Sequence, residues 1–195
     1  MRRTQEQTQQ TRRTLMDAAY RLFRERGYEA VTQDQIAREA GVTRGCLNWH
    51  FQGKEEIYLA ILREVMDRLA ELRAQELRQT GTAEEKLIRY FCSIREKTAE
   101  WFNFLNAIPA SLREKEPFLQ IEQRRAQNMK DSVRTIYGFL EAIESERGSA
   151  LNADKRDMAQ TLFYLYQGLS YSRRGDEEEA AWEAEIRRYI RLILR

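Results

Sequence analysis

The 195-residue sequence predicts an all-α protein, and three observations carry that reading. It holds only 2 prolines and 9 glycines, so little in it provides for hairpins. Ala, Leu, Arg, Glu and Gln recur throughout, residues that lose little freedom in a helix. Apolar residues return at helical spacing along most of the chain. A chain of this length holds one domain or two modest ones, since domains commonly run to about 100 to 150 residues.

Leu15, Ala18, Ala19, Leu22 and Phe23 form the i, i+3, i+4, i+7, i+8 stripe of a first helix, which Gly27 ends after Arg26. Residues 1 to 8 ahead of it are polar enough to be mobile. Thr32 opens a capping box with Gln35, and Ile36, Ala37 and Ala40 give a short second helix its inward face. Gly41 supplies the left-handed conformation of a tight turn, Val42 plugs the core and Thr43 caps a third helix over about 44–50. Two short helices joined so tightly make a helix-turn-helix. The third is too short to stand alone and must pack through Leu47 and Phe51, which leaves its other face free.

A fourth helix starts near Lys54-Glu55-Glu56 and keeps its stripe through Ile57, Ile61, Leu62, Val65, Leu69 and Leu72 before Gly81. At about 36 Å it is long enough to link two domains. Thr82 and Glu85 form a further capping box, opening a single helix through Leu87, Tyr90, Phe91 and Ile94 to Phe104 and Leu105. Pro109 and Pro117 bracket a short irregular or one-turn piece, because neither ring fits a helix interior. A long helix over about 118–146, a loop at 148–152 and two last helices near 154–172 and 177–194, parted by Arg173-Arg174-Gly175-Asp176, bring the total to about nine.

The net charge of +2 conceals an asymmetry: residues 1–54 carry ten Arg and Lys against six Asp and Glu, so positive charge gathers at the end with the helix-turn-helix. No apolar run approaches the roughly 20 residues of a membrane helix, and the start lacks the apolar stretch of a signal peptide. The expectation is a cytoplasmic protein with no membrane partner. Cys46 and Cys92 make no metal or redox spacing and read as thiols in a reducing compartment, serving as small buried hydrophobes. No nucleophile with base and orienter, metal spacing or phosphate loop appears, which argues against an enzyme and against any cofactor.

The segment Arg21-Leu22-Phe23 through Gly27-Tyr28, then Val31-Thr32, Ile36-Ala37, Ala40-Gly41-Val42-Thr43-Arg44-Gly45 and Trp49-His50-Phe51 with Lys54-Glu55-Glu56 resembles the DNA-binding domain of the TetR family, with the family's spacing intact. The remainder is similar to the family in helix order and length, most like the multidrug-efflux repressors of its AcrR branch. The resemblance implies a helix-turn-helix domain over 1–54 and a helical ligand-binding and dimerisation domain over 55–195. It further implies a transcriptional repressor, released from a (pseudo)palindromic double-stranded operator of efflux or metabolism genes by a small molecule.

The residue chemistry points the same way. Gly45 lets the helix backbone approach a base edge or phosphate, and Arg44 beside it can fork onto guanine O6 and N7. Thr43, Thr32 and Lys54 are phosphate clamps by chemistry, and the resemblance places these positions on DNA. His50, the sole histidine, is read as a phosphate or backbone contact. Trp49 either packs on the sugar-phosphate backbone or closes the small domain's core. Asn48 departs from the tyrosine usual in the family; it is shorter and can bond adenine N6 and N7, which bears on operator preference.

In the last two helices, Met158, Leu162, Leu165 and Leu169 line one face and Trp182, Ile186, Tyr189, Ile190 and Ile193 the other. They pack either against their own domain or, since the faces look wider than one domain covers and the family pairs these helices about a twofold, against a second copy; the expectation is a homodimer. Such a dimer reads half-sites about 34 to 36 Å apart or a multiple of it. Trp101, Phe102, Phe104, Leu105, Asn106, Phe118, Asn128, Met129, Tyr137, Tyr164 and Gln167 give the middle of the chain aromatic and amide side chains. Singly such residues are more often core; as a set beside a proline-broken element they suit an apolar cavity for a hydrophobic or aromatic effector acting by population shift. A chromosome-organising or division-control protein of the same fold would need no such ligand. A purely structural helical protein would leave Thr43-Arg44-Gly45 and His50-Phe51 unexplained.

Overall fold

The computed structural model describes residues 4–93, 96–172 and 179–194, with the side chains of residues 76, 96–99, 102, 170–172 and 179 outside the described set. Among the described residues all regular structure is helical, in ten helices: α1 (Gln5–Arg26), α2 (Gln33–Glu39), α3 (Arg44–His50), α4 (Lys54–Arg78), α5 (Ala83–Cys92), α6 (Glu96–Asn106), α7 (Ala110–Arg113), α8 (Glu116–Arg147), α9 (Lys155–Ser172) and α10 (Glu179–Ile193). None of them is long and apolar enough to cross a membrane.

The starts follow the caps. Thr4 and Gln7 form a reciprocal capping box, so the polar residues from Gln5, expected to be mobile, are the first turns of α1. The same device opens α2 at Thr32 and α5 at Thr82. Gly41 turns the chain between α2 and α3 at φ +68°, with the Val42 N–H donating to Ala37 O at 2.9 Å. The helix expected to run unbroken from Thr82 to Leu105 is two, which is why there are ten. Ser93 caps α5, its N–H bonded to Arg89 O at 2.8 Å and its hydroxyl donating to Tyr90 O at 2.6 Å, an alternative to the helical pattern that serine offers and an apolar stripe does not reveal. The expected Ile94 lies outside the described residues, as does the Arg173–Asp176 connection. Pro109 precedes the one-turn α7, and Pro117 is tolerated as the second residue of α8, where its missing N–H has no helical partner to lose.

The chain forms two compact units. One comprises the chain up to Met66 with Ala107–Ile121; the other comprises Asp67–Asn106 and the chain from Glu122 on. The boundary read from the sequence at residue 54 lies inside the first unit. The reason is apolar: Ile57, Tyr58, Ile61 and Leu62 of α4 are buried there, and Phe118 packs on Tyr58 with ring centroids 6.2 Å apart. Polar ties accompany them, with Ser111 donating to Glu29, Lys115 paired with Glu55, and the Tyr58 hydroxyl donating to Ala107 O.

In the second unit α5, α8, α9 and α10 share one core, which includes Leu87, Phe91, Ile136, Leu140, Leu162 and Ile190. This corrects the interface expected from the last two helices. Met158, Leu162, Trp182, Ile186 and Ile190 are 0 to 5% exposed within a single chain, so their apolar faces are spent on their own domain. Leu165, Leu169, Tyr189 and Ile193 are half-buried, and the outer surface carries the exposed Tyr164 and Leu192.

Candidate DNA interface

Most of the DNA-contact residues expected from the sequence lie on α3, and its geometry begins with what fixes it. Leu47 is fully buried and Phe51 nearly so, anchoring one side of a helix only 7 residues long. At its start the Thr43 hydroxyl accepts from the Cys46 N–H at 3.2 Å. At its end Arg12, from α1, donates through Nη1 to the His50 carbonyl at 3.0 Å while its guanidinium lies 4.1 Å from the Phe51 ring centroid. Arg12 was invisible to sequence reasoning because its partners lie some 38 residues away and no local period links them.

The opposite face is open. Thr43, Arg44, Gly45, Asn48 and Trp49 are exposed and His50 half-buried, so α3 brings six of the expected residues together, with Thr32 exposed at the start of α2. Trp49 is 68% exposed and stands edge-on to His50 with centroids 4.6 Å apart, which removes the reading in which it closes the core. A Cβ added at Gly45 would meet only Thr43 Oγ1, at 3.9 Å, so nothing inside the unit requires glycine there. Arg44 bonds across to the first turn of α2, through Nη1 to Asp34 Oδ2 at 2.5 Å and through Nη2 to Gln33 Oε1 at 3.3 Å. Neither Asp34 nor Gln33 was foreseen as part of this surface.

Lys54 is held differently from the phosphate clamp expected of it. Its Nζ donates to Tyr28 O at 2.7 Å and lies 4.1 Å from the Tyr28 ring centroid, tying the start of α4 to the loop after α1. Burial, reinforced by Glu55 and Glu29, pushes the Tyr28 phenol up to about 12, so it stays neutral beneath the ammonium.

The expected effector residues do not converge in the same way. Phe118 is fully buried in the first unit against Tyr58, which removes it from a set otherwise in the second unit. Met129 and Tyr164 are 44% and 63% exposed, so neither side chain is enclosed. Trp101 is half-buried, with the Arg68 guanidinium 5.6 Å from its ring centroid. Leu105 is buried; the Asn106 carbonyl oxygen accepts from Arg125, which also pairs with Glu122. Tyr137 and Gln167 are half-buried, and the Phe102 side chain lies outside the described residues.

Residues 15–61, from the buried stripe of α1 to Ile61 of α4, match the model of a family described as bacterial regulatory proteins, tetR family. Over 61 residues the chain is 48% identical to the HTH-type transcriptional regulator SrpR of Pseudomonas putida, a match covering 31% of this chain and 29% of that protein, so the chain spans less than a third of the relative's length. Two solved structures are similar nearly throughout. The ketosteroid transcriptional regulator KstR2 of Mycobacterium tuberculosis gives a TM-score of 0.68 at 23% identity, covering 94% of this chain and 92% of that one. The transcriptional regulator FadR of Bacillus subtilis, in complex with stearoyl-CoA, gives 0.64 at 21% identity, covering 91% and 96%. At those identities the likeness is one of fold. The capped helix-turn-helix thus lies in the segment that matches the tetR family of bacterial regulatory proteins, and the helices beyond it share the fold of those two regulators.

Proposed function

We propose that the chain is a homodimeric, sequence-specific DNA-binding transcriptional regulator, a repressor that leaves a (pseudo)palindromic operator when a hydrophobic or aromatic small molecule binds its second unit. The observation that carries this is α3: a short helix pinned at both ends by Thr43 and Arg12, with Arg44, Gly45, Asn48 and Trp49 left exposed on one face. A side chain as large as Trp49 has no intramolecular reason to stand in water, whereas an indole beside a sugar-phosphate backbone buries its ring and donates its N–H. Arg44 is the base reader, Asn48 an adenine reader, and Thr32 and Thr43 with their helix-start amides face phosphate.

The effector's class is supported by the apolar character of Trp101 and Leu105 in α6, and by two proteins of the same fold whose descriptions carry a ketosteroid and stearoyl-CoA. Dimerisation is assigned to the outer surface of α9 and α10 around Tyr164 and Leu192. The role is a binding one, without catalysis, for a protein working in the cytoplasm on efflux or metabolism genes.

The test is retention of fragments from the source genome by the purified protein across a salt series. A discrete set of fragments should be enriched, with affinity falling steeply and linearly in a log-log plot against salt as bound phosphates release their counterions. Retention of no fragment above background, at low salt included, rejects the proposal.

A further inference from the structure

We propose that Asp34 is a specificity-determining residue of the DNA-binding surface, acting by holding the Arg44 guanidinium for base reading and by opposing its use on phosphate. This deepens the DNA-binding reading above and rests on it.

Arg44 and Asp34 are both more than half exposed, 52% and 57% at their side chains, and they belong to different helices, so neither covers a core. Yet the guanidinium is held at two points by the first turn of α2, Asp34 on Nη1 and Gln33 on Nη2. A guanidinium has more N–H donors than these two acceptors use, so its fork remains available to guanine O6 and N7. The hold removes rotamer freedom before DNA arrives, which lowers the entropic cost of forming a base contact.

The charge matters as much as the geometry. A free arginine on a DNA-facing helix is attracted to every phosphate, and that attraction carries no sequence information. With a carboxylate on the guanidinium, the pair presents little net charge to the backbone, and Asp34 itself is repelled by phosphate. The arrangement gains only where base-edge acceptors reward the remaining donors. Asp34 thus raises the ratio of specific to non-specific binding while lowering affinity for DNA in general. Gly45, next to Arg44 and free of any side-chain obstruction, allows the approach this requires.

The experiment uses the full-length chain and a random-sequence duplex library, with sequencing of the selected DNA, for wild type, Arg44→Ala, Asp34→Asn, Asp34→Glu and the double variant Arg44→Ala/Asp34→Asn. Arg44→Ala identifies the base position that Arg44 reads. Asp34→Asn should reduce preference at that same position by about tenfold, within the range a lost bidentate base contact spans. It should also raise affinity for a duplex lacking the motif and steepen its salt dependence. Asp34→Glu, which keeps the charge, should keep non-specific affinity low. In the Arg44→Ala background Asp34→Asn should have no further effect on base preference, since coupled residues share one contribution.

If the wild-type chain selects no motif, the DNA-binding reading itself fails. If it selects one, and Asp34→Asn retains the full preference at the Arg44 position, the inference about Asp34 is wrong while that reading stands. A change at some other base position under Asp34→Asn also overturns it, because Asp34 would then read a base directly, as carboxylates do with cytosine N4. Loss of preference accompanied by a lowered melting temperature assigns Asp34 a structural role instead.

Discussion

Two glycines and two cations show how much single residues decide here. Gly41 sits at φ +68°, where a side chain strains the backbone, so Gly41→Ala should cost about 1 to 2 kcal/mol by denaturant titration. Gly45 should behave in the opposite sense. A Cβ there meets only an ordinary contact, and alanine is the better helix former by up to about 1 kcal/mol, so Gly45→Ala should leave the protein as stable or more so while weakening DNA binding. A stable variant with wild-type DNA affinity would show that the open backbone at α3 has no use. Arg12→Ala should cost about 2 kcal/mol, the sum expected for a charged hydrogen bond to the His50 carbonyl and a cation-π contact with Phe51. Of these residues the glycines were legible in the sequence, because a turn and a helix start demand specific backbone behaviour. Arg12, Asp34 and Gln33 were not, since their roles depend on partners that local pattern does not connect; Lys54 was legible as a cation but not as one committed to Tyr28.

Helix starts were readable wherever a capping box stood next to an apolar stripe, as at Thr32 and Thr82. Thr4-x-x-Gln7 is the same signal, but no apolar stripe adjoins it, because that of α1 begins only at Leu15. The break at Ser93 was hidden for the converse reason: apolar spacing continues across it, while the hydroxyl bond to Tyr90 O that accompanies the stop leaves no mark in that spacing. The turn from α8 to α9 depends on another such local tie. Glu144 accepts from Lys155 Nζ and from the Leu151 N–H, and these bonds, Lys155 first, hold its carboxyl below the ordinary range. A depressed carboxyl contributes stability above its unfolded value, roughly 4.3, and loses it as the pH falls through the folded one. Lys155, raised by the same partner, loses its share only as the medium turns strongly alkaline. Glu144→Gln should therefore shrink the fall in melting temperature between neutral and acidic buffer. An unchanged acid profile would mean the pair is screened into irrelevance, the usual fate of exposed ion pairs.

At the scale of the molecule, amphipathic helices announce that they bury a face without saying against what, which is why the stripes of α9 and α10 were legible and their partner was not. Five of the expected interface residues close the chain's own core, so Ile186→Asp should unfold the second unit by burying an unpaired charge rather than separate two copies. Tyr164→Glu and Leu192→Glu, on exposed positions, should give a monomer in sedimentation with a nearly unchanged circular dichroism spectrum; dimers from both variants would move the interface off this surface. The sensing proposal meets its test in linkage. Trp49 stands exposed on α3, the proposed DNA-binding helix, Trp182 is buried in the core, and Trp101 lies half-buried in α6, so Trp49→Phe should leave tryptophan emission insensitive to direct DNA contact while retaining Trp101 as a reporter. In that variant a hydrophobic drug or aromatic dye that binds should change the emission and raise the melting temperature by mass action. It must also weaken binding to the selected DNA by some factor, and saturating DNA must weaken the compound's own binding by that same factor, because coupling between two sites is reciprocal. Trp101→Ala should reduce the compound's affinity with DNA affinity intact. A compound that stabilises the protein and shifts its emission yet leaves DNA affinity untouched is bound at a site with no preference between the two conformations, and tight binding of that kind, however strong, cannot move the protein off the selected DNA.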